Sequence, residues 1–155
     1  MTKICTFICL IIRVYSGYLI YMQGYEKLTG GFSLQGLTQV IAQNQDSPMW
    51  YKWFFEHIIA PYTTFWEWVI PLGEIFLGLA LIIGFLEYYA ALFGIFIMIN
   101  YILADMIFTY PLQLVGFILI VLNIRSLRKL SVAAIVKKFM KKEADRDYGA
   151  YINCR

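Results

Sequence analysis

The sequence predicts an all-α membrane protein: a four-helix antiparallel transmembrane bundle with an extracytoplasmic aromatic loop and a cytoplasmic basic amphipathic C-terminal helix. The first observation is composition, because 61% of the 155 residues are hydrophobic and the mean hydropathy is +0.65. A soluble domain of this size could not cover so much apolar surface. The second is that four apolar stretches approach the roughly 20 helical residues that cross a hydrocarbon core of about 30 Å. The third is that basic residues concentrate after the last stretch.

The four stretches predict membrane-spanning helices at residues 4–22, 64–85, 88–108 and 111–124. We assign them to one domain, residues 1–130, in which an outer loop at 24–62 joins the first two helices. Residues 131–155 form a separate basic tail. The first helix does not resemble a cleaved signal peptide, because Arg13 interrupts its apolar core and no small-residue cleavage site follows it.

The distribution of charge predicts the orientation. The loop at 24–62 holds only the basic residues Lys27 and Lys52, offset by acidic ones. Most of the basic residues follow the last span, among them Arg125, Arg128, Lys129, Lys137, Lys138, Lys141, Lys142 and Arg146. The positive-inside rule then places both termini in the cytoplasm and the loop outside an integral cell-membrane protein. Residues 130–142 combine an apolar stripe with lysines, which predicts a helix lying on the membrane lipid and gives no indication of nucleic acid as a partner.

The outer loop divides into a helical and an aromatic part. Residues 33–43 predict a short amphipathic helix that Ser33 could cap. All four tryptophans fall within residues 50–68, which favours a belt of aromatic rings at the membrane interface over a stacking site for a ligand. The only histidine, His57, has no cluster of cysteine or acidic residues around it in sequence, so we predict no metal site.

Three charged residues lie inside apolar stretches, and such residues are functional candidates by default: Arg13, Glu74 and Asp105. An ion pair that only locks helices together remains the alternative. Counted at about 1.5 Å per residue from opposite ends of their helices, Arg13 and Glu74 both come near the middle of the membrane. We therefore predict that they form a pair. Asp105 lies nearer the outer face, where Lys27 or the Tyr101 hydroxyl could contact it.

The order of these residues resembles the DoxX/DoxD family of small four-helix membrane proteins over residues 10–124. The opening segment IIRVYSGYLIYMQGYEKL is similar to the family pattern at Arg13, Gly17, Gly24 and Lys27. The segment SPMWYKWFFEHIIAP resembles the outer loop of the family, GEIFLGLALIIGF its second helix with Glu74, Gly78 and Gly84, and Asn100 the polar residue of its third helix. The family is named for the small subunit of a thiosulfate:quinone oxidoreductase, so the resemblance implies transfer of electrons from sulfur substrates to membrane quinone.

The leading hypothesis is a membrane subunit of a quinone-linked oxidoreductase. Its candidate catalytic residues are Glu74, Arg13 and Asp105, and its candidate quinone-binding residues are Asn100, Tyr101, Met98 and Gly78. The chain has no evident haem-ligand pair, nucleotide-binding loop or set of cysteines for an iron–sulfur cluster. We therefore expect no haem, flavin or metal in this chain and a second redox or substrate-binding subunit beside it.

Two other functions remain open from the sequence. One is a non-catalytic scaffold or assembly subunit of a larger respiratory or redox complex. The other, which the shortness of the chain and the lack of an internal repeat disfavour, is a small transporter or channel. Association into a homo-oligomer is also left open.

Overall fold

The computed structural model describes residues 3–128 and the single positions 131, 134 and 138, and this part of the chain contains helices and turns but no strand. The predicted basic helix at 130–142 falls almost entirely outside the described residues. The helices, in chain order, are α1 (Lys3–Thr29), α2 (Leu34–Gln43), α3 (Met49–Phe54), α4 (Thr63–Ile83), α5 (Glu87–Leu103), α6 (Tyr110–Leu122) and α7 (Ile124–Leu127). A π-helical turn (Phe55–Ile59) and a 3₁₀ turn (Ala60–Tyr62) connect α3 to α4.

The four longest apolar helices pack around one core. Helix α1 contacts α4 and α6, and α5 contacts the same two helices. Helices α5 and α6 run in opposite directions, because Gly94 contacts the Phe117 ring and, further along α5, the Tyr101 ring packs on Tyr110. Fully buried side chains fill the space between them: Ile20, Leu81, Met98, Phe117 and Ile120.

Glycines bring α1 and α4 into close contact. A Cβ atom on Gly78 would lie 2.6 Å from the Gly17 carbonyl oxygen, and one on Gly24 would lie 2.6 Å from the Pro71 carbonyl oxygen. Only a hydrogen at these positions lets the two backbones approach so closely. These contacts fix the register, since Gly17 faces Gly78 and Gly24 faces Pro71.

The outward surface of the helices is apolar, as expected for contact with lipid. Two helical stretches, Ile4–Thr29 and Met49–Ile83, are long and apolar enough to cross a membrane, and only 28% and 33% of their most apolar windows are buried. A core helix of a soluble protein would be mostly buried instead. The apolar helices Glu87–Leu103 and Tyr110–Leu122 are shorter. The structure therefore supports two of the four predicted spans, and the other two stay predictions.

Residues 34–62 form a small layer, here called the cap, over one end of α4 and α5. Its core contains Leu34, Ile41, Tyr51, Phe55 and Ile59. Two side chains of the cap donate hydrogen bonds to carbonyl groups in the last turn of α5, where a helix leaves carbonyl groups short of donors. The Tyr51 hydroxyl donates to the Asn100 carbonyl at 2.8 Å, and the Ser47 hydroxyl donates to the Leu103 carbonyl at 2.9 Å.

The predicted short helix of the cap is present as α2, but its predicted N-terminal cap is wrong. Ser33 precedes α2 and makes no side-chain capping hydrogen bond. The Glu67 carboxylate on α4 instead accepts from the backbone N–H of Leu34 at 2.8 Å. This bond ties the start of α2 to α4.

Helix α1 is longer than the sequence predicts, since it continues past residue 22 to Thr29. The apolar stretch ends near residue 22, but the helix persists because its last two turns still pack on α4. Lys27 therefore lies on the helix and not in the loop. Helix α5 is shorter than predicted and ends at Leu103, because Asp105 adopts a left-handed backbone conformation with φ of +59°.

Candidate functional site

Two buried ion pairs lie at opposite ends of the contact between α1 and α4. The Lys27 ammonium is 2.5 Å from Glu74 Oε1, and the Arg13 guanidinium is 2.5 Å from Glu87 Oε2. The stretch of α1 between residues 13 and 27 rises about 21 Å at about 1.5 Å per residue. The two pairs are therefore separate sites.

The predicted pair between Arg13 and Glu74 is wrong, because the register of α1 against α4 separates the two residues. Gly24 lies against Glu74, whereas Arg13 lies against Gly84. Ten residues of α4 separate positions 74 and 84, a rise of about 15 Å. The prediction that Asp105 contacts Lys27 or Tyr101 is also wrong, since Glu74 contacts both.

The Lys27–Glu74–Tyr101 cluster joins side chains from α1, α4 and α5. The Lys27 ammonium donates to Glu74 Oε1 and to the Tyr101 hydroxyl, and that hydroxyl donates to the same carboxylate oxygen. The ammonium also lies 4.4 Å from the centre of the Tyr101 ring, within the range of a cation–π contact. Glu74 is completely buried, and its Oε2 has no hydrogen-bond partner among the described residues.

The local sequence explains how the cluster forms. Gly24 precedes Lys27 by almost one helical turn and lets α1 approach the backbone of α4 at Pro71. Pro71 precedes Glu74 by the same interval and is itself buried. Tyr101 reaches the cluster from the last turn of α5, the turn that the cap holds through the Asn100 carbonyl.

A cleft of about 260 Å³ adjoins the cluster and is lined by Gln23, Glu26, Lys27, Gly30, Phe32 and Tyr110. The Tyr110 ring packs against the Tyr101 ring, with 4.7 Å between their centres. Gln23 donates through Nε2 to Gln113 Oε1 at 3.2 Å, while its own Oε1 has no partner within the described part of the chain. The cleft is thus polar at its wall and reaches Lys27.

The second ion pair has a different setting. Arg13 and Glu87 are 3% and 4% exposed, and the guanidinium covers Gly84 in the turn between α4 and α5. A Cβ on Gly84 would lie 2.9 Å from Arg13 Nη1, and the φ of this glycine is +75°. The pair therefore fastens α1 to the α4–α5 turn.

The remaining predicted site residues lie in other surroundings. Asp105 is exposed and accepts a hydrogen bond from Asn44 Nδ2 at 3.1 Å. The Asn100 amide donates to the Phe96 carbonyl of its own helix at 2.8 Å. Met98 is fully buried in the core, and Gly78 faces Gly17. Of the predicted quinone-binding residues, Tyr101 is the one that hydrogen-bonds to Glu74; a role for Asn100, Met98 and Gly78 stays a prediction.

Sequence reasoning missed several residues of these sites. Glu87 fell just before the predicted third span, at 88–108, and so was not considered as a buried charge. Gln23, Tyr110 and Gln113 were missed because they lie at the ends of apolar stretches. The glycines held the missing signal: pairing Gly17 with Gly78 places Arg13 near residue 84.

The family model for DoxX matches residues 8–109, which is most of the chain and includes both ion pairs. The chain belongs to the DoxX family. The predicted resemblance is thereby confirmed, and the family together with the two long apolar helices indicates an integral membrane protein. No curated protein and no solved structure matches the chain.

The matched region does not contain every residue around the Lys27–Glu74–Tyr101 cluster of this DoxX protein. Most of α1 and all of α4 and α5 lie within the matched region, whereas α6, which supplies Tyr110 and Gln113, begins just after it. Among the described residues, no group of three or more His, Cys, Asp or Glu side chains could hold a metal ion. The chemical groups that the cluster offers are an ammonium, a phenol and a carboxylate, which can donate, accept and hold protons.

Proposed function

We propose that this DoxX protein is a membrane subunit of a quinone-linked oxidoreductase and that the Lys27–Glu74–Tyr101 cluster is its quinone-facing group. The observation that carries the proposal is the completely buried Glu74 carboxylate, with one oxygen unpartnered among the described residues, close to a cleft. A buried ionisable group in a membrane protein is costly and commonly marks a functional site.

The chemistry of the cluster suits a quinone. Reduction of a quinone to a quinol takes two electrons and two protons. Lys27 and Tyr101 can donate hydrogen bonds to a quinone carbonyl, and Glu74 can hold a proton and transfer it. The electrons would come from a second redox or substrate-binding subunit that oxidises a reduced donor, with thiosulfate as the donor that the family name suggests.

The size of the cleft limits what it would hold. Its volume of about 260 Å³ is slightly below the usual range of about 300–1,000 Å³ for small-molecule pockets. The head group of a quinone would occupy it, and the isoprenoid tail would extend along the apolar surface of the helices. Phe32 and Tyr110 supply flat apolar walls for the ring.

The proposal includes the complete membrane topology. All four long helices would cross the membrane as an antiparallel bundle, with both termini in the cytoplasm and the segment after α1, residues 30–62, outside. Helices α5 and α6 have 17 and 13 residues, or rises of about 26 and 20 Å, so their connecting turns would complete the crossing. The concentration of basic residues after α6 supports this orientation.

Binding of a short-chain quinone to the purified protein in lipid nanodiscs tests the proposal, with quenching of tryptophan fluorescence as the measurement. We expect saturable binding that is about tenfold weaker in Glu74→Gln, because without the carboxylate Lys27 is no longer held in place to donate to the quinone carbonyl. A hydrogen bond from a charged donor contributes about 1.5–3 kcal/mol. Glu67→Gln is the matched control: it lies two turns away on α4, and an amide oxygen can still accept from Leu34. Unchanged quinone affinity in Glu74→Gln would refute the assignment.

A second function, a non-catalytic scaffold or assembly subunit, is favoured by one observation. Lys27 pairs with Glu74, and Arg13 pairs with Glu87, so each buried carboxylate already has a cation beside it without a ligand. A scaffold would bind no quinone in the titration above. It would also still support electron transfer by its partner complex when Glu74 is replaced by Gln.

A further inference from the structure

A second cleft, at the opposite end of the helices from the Lys27–Glu74–Tyr101 cluster, has no part in the proposed function. Its volume is about 330 Å³, and it lies at the turn between α4 and α5. The residues that line it are Gly84, Leu86, Glu87, Tyr88, Tyr89, Arg128, Ser131 and Ala134. We propose that this cleft binds the head group of a membrane phospholipid that carries a hydrogen-bond donor in addition to its phosphate.

The buried carboxylate of Glu87 is the first observation. One oxygen, Oε2, accepts from Arg13, while Oε1 is buried and has no partner among the described residues. An unsatisfied buried carboxylate oxygen is costly, so a donor from a ligand would stabilise it. Because Glu87 lines the cleft, that donor can reach the carboxylate from the cleft.

The start of α5 is the second observation. Its N-cap residue is Leu86, which makes no side-chain capping hydrogen bond. The first backbone N–H groups of a helix have no partner within the helix and carry the positive end of its dipole. Glu87, Tyr88 and Tyr89 of this first turn line the cleft, so a phosphate there would receive backbone hydrogen bonds.

Arg128 adds a cationic side chain to the lining of the cleft. It is exposed and follows α7, so its guanidinium is available to a phosphate. Tyr88 and Tyr89 are ring types that concentrate at the membrane–water interface, which is the depth of lipid head groups. The exposed apolar side chains of Phe85 and Leu86 offer adjacent surface for acyl chains.

These groups together specify the ligand. Arg128 and the start of α5 suit the phosphate, and Glu87 Oε1 suits a donor on the group attached to it. Phosphatidylethanolamine provides an ammonium and phosphatidylglycerol provides hydroxyls, whereas the quaternary amine of phosphatidylcholine has no N–H or O–H group to donate. The cleft should therefore discriminate against phosphatidylcholine.

Native mass spectrometry of the full-length protein in mild detergent tests the proposal with an equimolar mixture of these three lipids. We expect phosphatidylethanolamine or phosphatidylglycerol adducts to exceed phosphatidylcholine adducts by about tenfold. Arg128→Gln should lower retention of the favoured lipid about threefold, as suits an exposed ion pair. Arg125→Gln removes the same charge one turn away, outside the cleft lining, and should leave retention unchanged.

Three outcomes would overturn the proposal. Equal retention of all three lipids would show that Glu87 does not accept a hydrogen bond from the lipid head group. Equal losses in Arg125→Gln and Arg128→Gln would show attraction to the basic region as a whole. Stabilisation of the protein by inorganic phosphate, with no lipid adduct, would indicate a site for a free anion. Glu87→Gln, if it accumulates, should reduce the preference of the protein for phosphatidylethanolamine or phosphatidylglycerol over phosphatidylcholine. None of these results bears on quinone binding.

Discussion

At the level of single residues, each buried carboxylate faces a cation on α1: Glu74 contacts Lys27, and Glu87 contacts Arg13. Removing charges from water is costly, and an ion pair in a protein interior is tolerated only with good geometry and additional hydrogen bonds. Tyr101 supplies such a bond to Glu74. The pairs are therefore sensitive to loss of one partner and much less sensitive to loss of both.

Replacing Lys27 alone should destabilise the protein strongly. Lys27→Met leaves Glu74 buried and unpaired, and breaking a buried pair in this way costs about 3–5 kcal/mol. The double variant Lys27→Met with Glu74→Leu should recover much of that loss, because no charge then remains buried. Unfolding by sodium dodecyl sulfate in mixed micelles measures both.

The matched control for this series is Lys52→Met, which removes a lysine of the cap that forms no ion pair with any other described residue. Its effect should stay within about 0.5 kcal/mol. If the double variant were as unstable as Lys27→Met, the interaction of Lys27 with Glu74 would not be the source of the loss.

Sequence reasoning succeeded in part at this scale. The rule that a charge within an apolar stretch needs a partner identified Arg13 and Glu74, and both are buried in ion pairs. It assigned the wrong partners because it counted depth from the ends of apolar stretches, and α1 continues to Thr29. Partner choice depends on helix register, which hydropathy does not report.

At the level of elements, the contact between α1 and α4 positions both ion pairs. Gly17 and Gly78 form the centre of that contact, and the Lys27–Glu74 and Arg13–Glu87 pairs lie on either side of it. Because lipid tails are as apolar as the helix surfaces, the hydrophobic effect does not drive helices together in a membrane. They associate through close packing and polar contacts. A change in the spacing of α1 and α4 should therefore disturb both ends.

Gly78→Ala should weaken this contact. Its Cβ would lie 2.6 Å from both the Gly17 oxygen and the Tyr21 Cβ, and overpacking typically costs about 1–3 kcal/mol. Gly73→Ala, on the same helix, is the control, because its Cβ meets no atom within 4 Å. The higher helix propensity of alanine should then stabilise α4 by up to about 1 kcal/mol. Similar unfolding curves for the two variants would contradict the packing described for Gly78.

The sequence predicted the helices better than their contacts. The amphipathic pattern of residues 33–43 correctly predicted α2, but no local signal indicated that Glu67, far along the chain, would cap it in place of Ser33. Likewise, the left-handed turn at Asp105 ended α5 within an apolar stretch that hydropathy extended to residue 108. Long-range and conformational constraints of this kind are not encoded in periodicity.

At the level of the whole molecule, composition and the apolar stretches predicted an all-helical membrane protein. The order of the motif residues, and not composition, carried the resemblance to the DoxX family, which the family match confirms. The outward apolar side chains and the small buried fraction of the two longest helical stretches agree with the prediction of a membrane protein. The orientation in the membrane and the number of crossings beyond these two helices depend on the lipid environment and stay predictions. The function depends on the ligand of the cluster, which composition does not specify.

Cysteine labelling in intact cells measures the orientation. In a background without the native cysteines, Gln39→Cys in α2 should react with a membrane-impermeant maleimide from outside. Lys138→Cys, in the basic tail, should react only after the membrane is opened. Labelling of Lys138→Cys but not of Gln39→Cys in intact cells would show that the protein has the opposite orientation.

The most direct test of the central claim is photolabelling with an azidoquinone, in which the protein is held in lipid nanodiscs and the modified peptides are mapped by mass spectrometry. We expect labelling of the cleft beside the Lys27–Glu74–Tyr101 cluster, on peptides that contain Phe32 and Tyr110. Excess unlabelled quinone should prevent this labelling. Labelling concentrated at residues 84–89, or spread over the lipid-facing surface and insensitive to competitor, would contradict this expectation.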